Sequence, residues 1–143
     1  GDVYKRQTEY LAASLLDMDW HSISAKEAQQ LDANKFESES LKNYGLLDEI
    51  APRYRTTYFA HIFSGGYSSG YYSYVHAAVL DSDAFEAFKE AGDVFDAELS
   101  SRLRETIYSK GSTEDAMDLF VNFRGRKAVI EPLLKVRGLD GSN

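Results

Sequence analysis

Between positions 61 and 74 one imidazole and four phenols share a short glycine-rich stretch, Phe59-Ala60-His61-Ile62-Phe63-Ser64-Gly65-Gly66-Tyr67-Ser68-Ser69-Gly70-Tyr71-Tyr72-Ser73-Tyr74. A phenol keeps its proton at neutral pH and donates a hydrogen bond to an oxygen that is gaining negative charge. An imidazole donates or accepts near pH 7. The Gly65-Gly66 pair lets backbone come close to a ligand or swing between states. Tyr71 and Tyr74, three apart, share one face if the chain is helical there. The stretch is no phosphate loop: it lacks GxxxxGK[ST], and no strand precedes it. The competing reading is a packed histidine and tyrosines that fill a core or an interface. In that case the chain is a non-catalytic helical module that grips a peptide or protein partner.

Other chemistry finds less support. The histidines are His21, His61 and His76; none pairs at i, i+4, and H-E-x-x-H is absent. With no cysteine, disulfide scaffolds, zinc fingers, thiol nucleophiles and iron–sulfur sites are excluded. The acidic pairs in Asp81-Ser82-Asp83 and Glu114-Asp115 precede apolar helical runs, and both read as helix N-caps. Arg53, Arg55, Arg102, Arg104, Arg124, Arg126 and Arg137 are scattered and are expected to be solvated or paired with carboxylates. One of them could anchor a substrate carboxylate by a bidentate bond, but spacing does not pick it.

Elements that position these residues read as helices throughout, an all-α fold joined by short loops. Thr8 is placed to cap a helix whose apolar positions 11, 15 and 18, with 12 and 16, follow a 3.6-residue period. Ser24 and Glu27 form a capping-box pattern. Asp32 or Asn34 opens a helix that carries Phe36 and Leu41 inward and stops near Gly45. Pro52 marks a further start, with Tyr54, Tyr58 and Phe59 on the helix. Residues 64–70 form the most flexible stretch. Helical period resumes from Tyr71 and again through Ala84–Phe88, ending at Gly92. Asp96 caps a long helix through Leu99, Leu103 and Ile107 to Gly111. Thr113 starts another, with Met117, Phe120 and Phe123 inward, ending at Gly125. A last helix lies near Ile130–Leu134.

The whole is 143 residues, one domain's worth, with hydrophobic residues at 43% and charged residues at 27%, so disorder is not expected. A net charge of -7 argues against duplex nucleic acid and anionic membrane surfaces as partners. No apolar run reaches the length of a membrane span. The tails, Gly1–Gln7 and Asp140–Asn143, are expected to be exposed. Gly1-Asp2-Val3-Tyr4-Lys5-Arg6-Gln7 has neither a start methionine nor a signal pattern, and its back-translation reads as a transposase adapter used in shotgun sequencing. The expectation is therefore an artefact over 1–7 joined to a truncated frame over 8–143.

Three stretches carry a family resemblance. Arg53 to Gly92, RYRTTYFAHIFSGGYSSGYYSYVHAAVLDSDAFEAFKEAG, resembles the thimet-oligopeptidase-like zinc peptidases, nearest to their bacterial peptidyl-dipeptidases (dipeptidyl carboxypeptidases). Arg102 to Leu139 resembles the family's C-terminal end, and EYLAASLLDMDWH also fits. The likeness covers about residues 8 to 139. It implies the helical C-terminal part of a zinc-peptidase catalytic domain, whose zinc is held by residues upstream of this chain. It also implies peptide substrates, the missing N-terminal part as a partner, a cytoplasmic or else periplasmic enzyme, and no hydrolysis by this chain alone. An endo-acting oligopeptidase is the nearest rival. By matching position, Tyr74 is implied as hydroxyl donor to the oxyanion, with Tyr67 and His61 assisting. Tyr71 is implied as a substrate contact, and Gly65, Gly66 and Gly70 as the closing loop. The sequence departs from the family pattern at His76, usually Trp, and at Ala78, commonly Glu.

Overall fold

The computed structural model describes the backbone of residues 2–141 and the side chains of residues 7–141. Among the described residues there are helices and turns but no strand, as the period predicts. None of these helices is long and apolar enough to cross a membrane. The chain forms two units, Gly1–Val75 and His76–Asn143.

The first unit is built on α1, Asp2–Ser22. This helix is already running at Thr8, so Thr8 is no cap. Gln7, expected in an exposed tail, is buried at 7% exposure; the rest of the expected artefact, residues 1–6, lies outside the described side chains. The helical period is right, but only positions 12 and 16 of the expected apolar set face inward. Ala12, Ala13 and Leu16 are buried, while Leu11, Leu15 and Met18 are exposed. Small residues let α1 approach its neighbours closely, and that outweighs the larger area of the leucines. Ala12 and Leu16 pack with Leu41, Trp20, Phe36 and Leu46. Ala13 packs with Phe59, Ile62 and Tyr71.

Local signals placed the next elements well. Ser24 and Glu27 make both bonds of a capping box ahead of α2, Ala25–Ala28. The Asp32 carboxylate caps α3, Ala33–Asn43, by accepting from the Lys35 N–H at 2.8 Å. Asp19 ties α1 to this region, accepting from Ser40 Oγ at 2.6 Å and Tyr44 Oη at 2.8 Å. No helix follows Pro52. The Arg53 N–H goes to the Glu9 carbonyl at 3.1 Å and the Thr56 N–H to the buried Glu37 carboxylate at 2.6 Å. Donors used that way leave only a 3₁₀ turn, Thr56–Tyr58, before α4, Ala60–Phe63.

Helix α5 spans Ser73–Ala91, α6 spans Ala97–Leu103, α7 spans Ala116–Arg124 and α8 spans Glu131–Val136. Asp96 caps α6 as expected, but the expected continuation is a π-helical turn, Arg104–Tyr108. The cap of α7 is Asp115, as the Glu114-Asp115 pair indicated, rather than Thr113. In the second unit Ala87, Phe88 and Phe123 form the core, with Leu99, Leu103 and Ile107 against it. The Asp81-Ser82-Asp83 segment lies inside α5 and caps nothing. Asp83 is fully buried and accepts from Arg126 at 2.6 and 2.7 Å, from Arg124 at 3.2 Å and from the Val129 N–H at 2.9 Å. Burial alone would raise its pKa, and the bonds to Arg126, Val129 and Arg124 outweigh that, so its carboxyl sits below the ordinary range.

Candidate active site

The expected site residues of the first unit come together. Tyr67 and Tyr74 stack, with ring centroids 5.3 Å apart and planes at 24°. His61 lies 6.0 Å from Tyr67 and 5.8 Å from Tyr71. Tyr71 lies 5.3 Å from Tyr74. Exposure divides the group. Tyr67 and Tyr74 each stand 37% exposed, whereas Tyr71 is 2% exposed. Tyr71 touches Phe59, Tyr54 and Tyr10 from within the core, so it forms the floor on which the outer phenols rest.

The loop has specific reasons for its glycines. A Cβ on Gly65 would lie 2.9 Å from both the Cα and the carbonyl oxygen of His61, too close for any side chain. Gly66 sits at φ 82°, where L side chains are disfavoured. Gly70 is different: a Cβ there meets nothing nearer than 3.4 Å.

This stretch, expected to be the most flexible, is tied down by hydrogen bonds. Tyr67 N–H donates to the His61 carbonyl at 3.1 Å, and Ser68 Oγ donates to the Ile62 carbonyl at 2.6 Å. The decisive anchor is Asp17, buried on α1, which the sequence reading missed. Its Oδ1 accepts from the Ser69 N–H at 3.0 Å and its Oδ2 from the Tyr71 N–H at 2.9 Å. Ser69 has a positive φ of 54°, a conformation that a non-glycine residue holds only when its surroundings insist. His21 Nδ1 lies 2.8 Å from Asp17 Oδ1 and 2.9 Å from the Asp17 carbonyl. Both neighbours are acceptors, so that nitrogen carries a proton. The available signal was an aspartate flanked on its helix by Ala13, Leu16 and Trp20, positions that face inward.

Electrostatics keep the phenols protonated. Tyr74 is pushed up to about 12, first by its hydrogen bond with Tyr67 and then by burial. Tyr71 is also pushed up to about 12, chiefly by burial, with the Arg53 guanidinium pulling the other way. Both groups therefore hold their protons where unfolded tyrosines, near pH 10, lose them. The sign follows: this contribution to stability is intact below about pH 10 and is lost as pH climbs through about 12. In an alkaline titration followed by tyrosinate absorbance, the Tyr71 and Tyr74 phenols ionise last, and Tyr74→Phe removes part of that late step. A late step of undiminished size in Tyr74→Phe would contradict the hydrogen-bonded pair.

Among the described residues no three His, Asp or Glu side chains converge as metal ligands. His21 is committed to Asp17, and His61 sits among aromatic rings. The residues present do not form a zinc site, and the chemistry open to this cluster is hydrogen-bond donation and substrate contact.

Comparison with known proteins fixes the family. The model for peptidase family M3 matches residues 6–139. The chain belongs to peptidase family M3. The dipeptidyl carboxypeptidase of Escherichia coli (strain K12) is 43% identical over 134 residues, covering 93% of this chain and 19% of that protein. Oligopeptidase A of the same organism is 46% identical over 83 residues, covering 58% of this chain and 12% of that protein. A probable cytosolic oligopeptidase A of Arabidopsis thaliana is 50% identical over 84 residues, covering 57% and 12%. This M3 chain thus spans less than a fifth of the length of the curated relatives it matches. The family resemblance drawn from the Gly-Tyr stretch is correct.

Proposed function

We propose that this chain is part of a zinc peptidyl-dipeptidase, which removes dipeptides from peptide C-termini, and that it supplies substrate-binding and oxyanion-stabilising groups. The observation that carries the reading is the extent of likeness. Similarity to the E. coli dipeptidyl carboxypeptidase runs along 93% of the chain, against 58% for oligopeptidase A. The zinc ligands belong, in this reading, to polypeptide outside these 143 residues, and the chain alone hydrolyses nothing.

The site's own residues have clear parts to play. As water adds to the scissile carbonyl, its oxygen gains negative charge, and the Tyr74 O–H donates to it. Tyr67, stacked on Tyr74 with ring centroids 5.3 Å apart, holds that phenol in place. His61, packed against Tyr54 at 5.2 Å and against Tyr67, is fixed to meet the peptide backbone beside them. A donor already aimed at the oxyanion needs no reorganisation during reaction, which is why such groups are effective.

The endo-acting reading has one observation in its favour, the higher identity to oligopeptidase A within the shorter matched stretch. Digestion of a long peptide by the full-length protein separates the two. Mass spectrometry should find successive losses of two residues from the C-terminus. Early internal cuts would overturn the dipeptidase reading and establish the endo-acting one.

A further inference from the structure

One residue of α1 bears on both ends of the loop that carries Tyr67. His21 stands in the last turn of that helix, one turn after Asp17, with 22% of its side chain exposed. Its Nδ1 lies 2.8 Å from Asp17 Oδ1 and 2.9 Å from the Asp17 carbonyl. Its ring packs against Phe63 with centroids 5.8 Å apart, and Phe63 closes α4 just ahead of the loop. The neighbouring Trp20 meets Phe63 edge-on at 5.9 Å and is itself fixed by donating from Nε1 to Thr56 Oγ1 at 3.0 Å. The His21 ring thus abuts the start of the loop, and its N–H reaches the end of the loop by way of Asp17.

The Asp17 side chain is fully buried. Burying a carboxylate is costly unless donors surround it. Two of its donors, the Ser69 and Tyr71 amides, belong to the loop itself. They cannot alone orient the group that orients them. The third, His21, comes from the next turn of the same helix, so it can set the carboxylate's direction independently of the loop. That N–H is present in the neutral Nδ1–H tautomer and in the imidazolium alike, so the hold survives either state of the ring.

We propose that His21 is a positioning residue: it aims the Asp17 carboxylate at the Ser69 and Tyr71 amides and so sets where the Tyr67–Tyr74 pair stands. The path to the pair is short. Tyr71 N–H is bound by Asp17 at 2.9 Å, and the Tyr74 N–H donates to the Tyr71 carbonyl at 3.4 Å as α5 begins. A donor displaced by about 1 Å from its working place can cost on the order of 100-fold in rate. The inference rests on the reading of Tyr74 as oxyanion donor and deepens it.

The test measures kcat of the full-length peptidase on one peptide substrate. His21→Phe keeps a ring against Phe63 and removes the donor; kcat should fall on the order of 10- to 100-fold. His21→Asn loses the ring but places an N–H where Nδ1 stands, and kcat should return to within several-fold of wild type. His21→Gln puts its N–H one bond further out and should fall between; it also serves if the phenylalanine variant does not fold. In a Tyr74→Phe background the His21→Phe loss should shrink to a few-fold, because the group being positioned is already gone. Loss of the same size in both backgrounds makes His21 a structural residue only and overturns the inference. Wild-type kcat in His21→Phe, or no recovery in His21→Asn, overturns it as well; each of these leaves the oxyanion reading standing. A Tyr74→Phe enzyme with wild-type kcat overturns that reading, and this inference with it.

Discussion

Tyr74→Phe in the full-length peptidase is expected to lower kcat by about two to three powers of ten, with KM little changed. The substitution removes one oxygen and leaves the ring. Its stacking on Tyr67 and its contacts with Tyr71 and Tyr10 are made by ring atoms and survive. What disappears is a donor aimed at charge that exists only in the transition state. Losing one such donor typically removes roughly 2.7–4 kcal/mol of stabilisation. A loss confined to the transition state lowers kcat and kcat/KM together. Because the phenol is pushed up to about 12, it is a donor at every pH near neutrality, and the drop should be independent of pH there. Steady-state kinetics on one peptide substrate decide the matter. An unchanged kcat refutes the donor role; a rise in KM alone reassigns Tyr74 to substrate binding.

How far the sequence discloses this structure depends on how far apart the deciding residues are. The capping box at Ser24 and the caps at Asp32 and Asp96 are settled within four residues, and the sequence pattern finds Ser24 and Asp96 outright and Asp32 as one of two candidates. Asp83 shows where that logic fails. An acidic residue ahead of an apolar run looks like a cap, but this one is a buried counter-ion whose arginines lie 41 and 43 residues later. The face of α1 was read only in part for a related reason. Leu11, Leu15 and Met18 and the set Ala12, Ala13 and Leu16 both fit a helical period, and only the neighbours decide between them. The site divides in the same way. Its phenols and imidazole sit in one short, unusual stretch and were legible. Tyr10 and Arg53, which complete the cluster, arrive from other segments with no local mark.

Asp17 is the strongest case of such distance, since it holds a loop 52 and 54 residues away. Asp17→Ala should destabilise the protein by about 3–5 kcal/mol. Two backbone N–H groups, one buried and one partly so, would lose a charged acceptor. Each bond to an ionised group contributes roughly 1.5–3 kcal/mol, and the abandoned donors gain no water in exchange. Ser69 would also lose the contact that keeps it at positive φ, so the loop should leave its present conformation rather than only weaken. Asp17→Asn retains one acceptor oxygen but turns an amide N–H₂ toward a second donor, so it should recover less than half of the loss. Urea denaturation followed by circular dichroism measures the global effect. Hydrogen exchange at the Ser69 and Tyr71 amides measures the local one. If both amides stay protected in Asp17→Ala, the carboxylate is not what holds the loop. If protection vanishes there while that of α3 persists, the aspartate acts on the Tyr67–Tyr74 pair through the loop, and kcat of the full-length enzyme should fall with it.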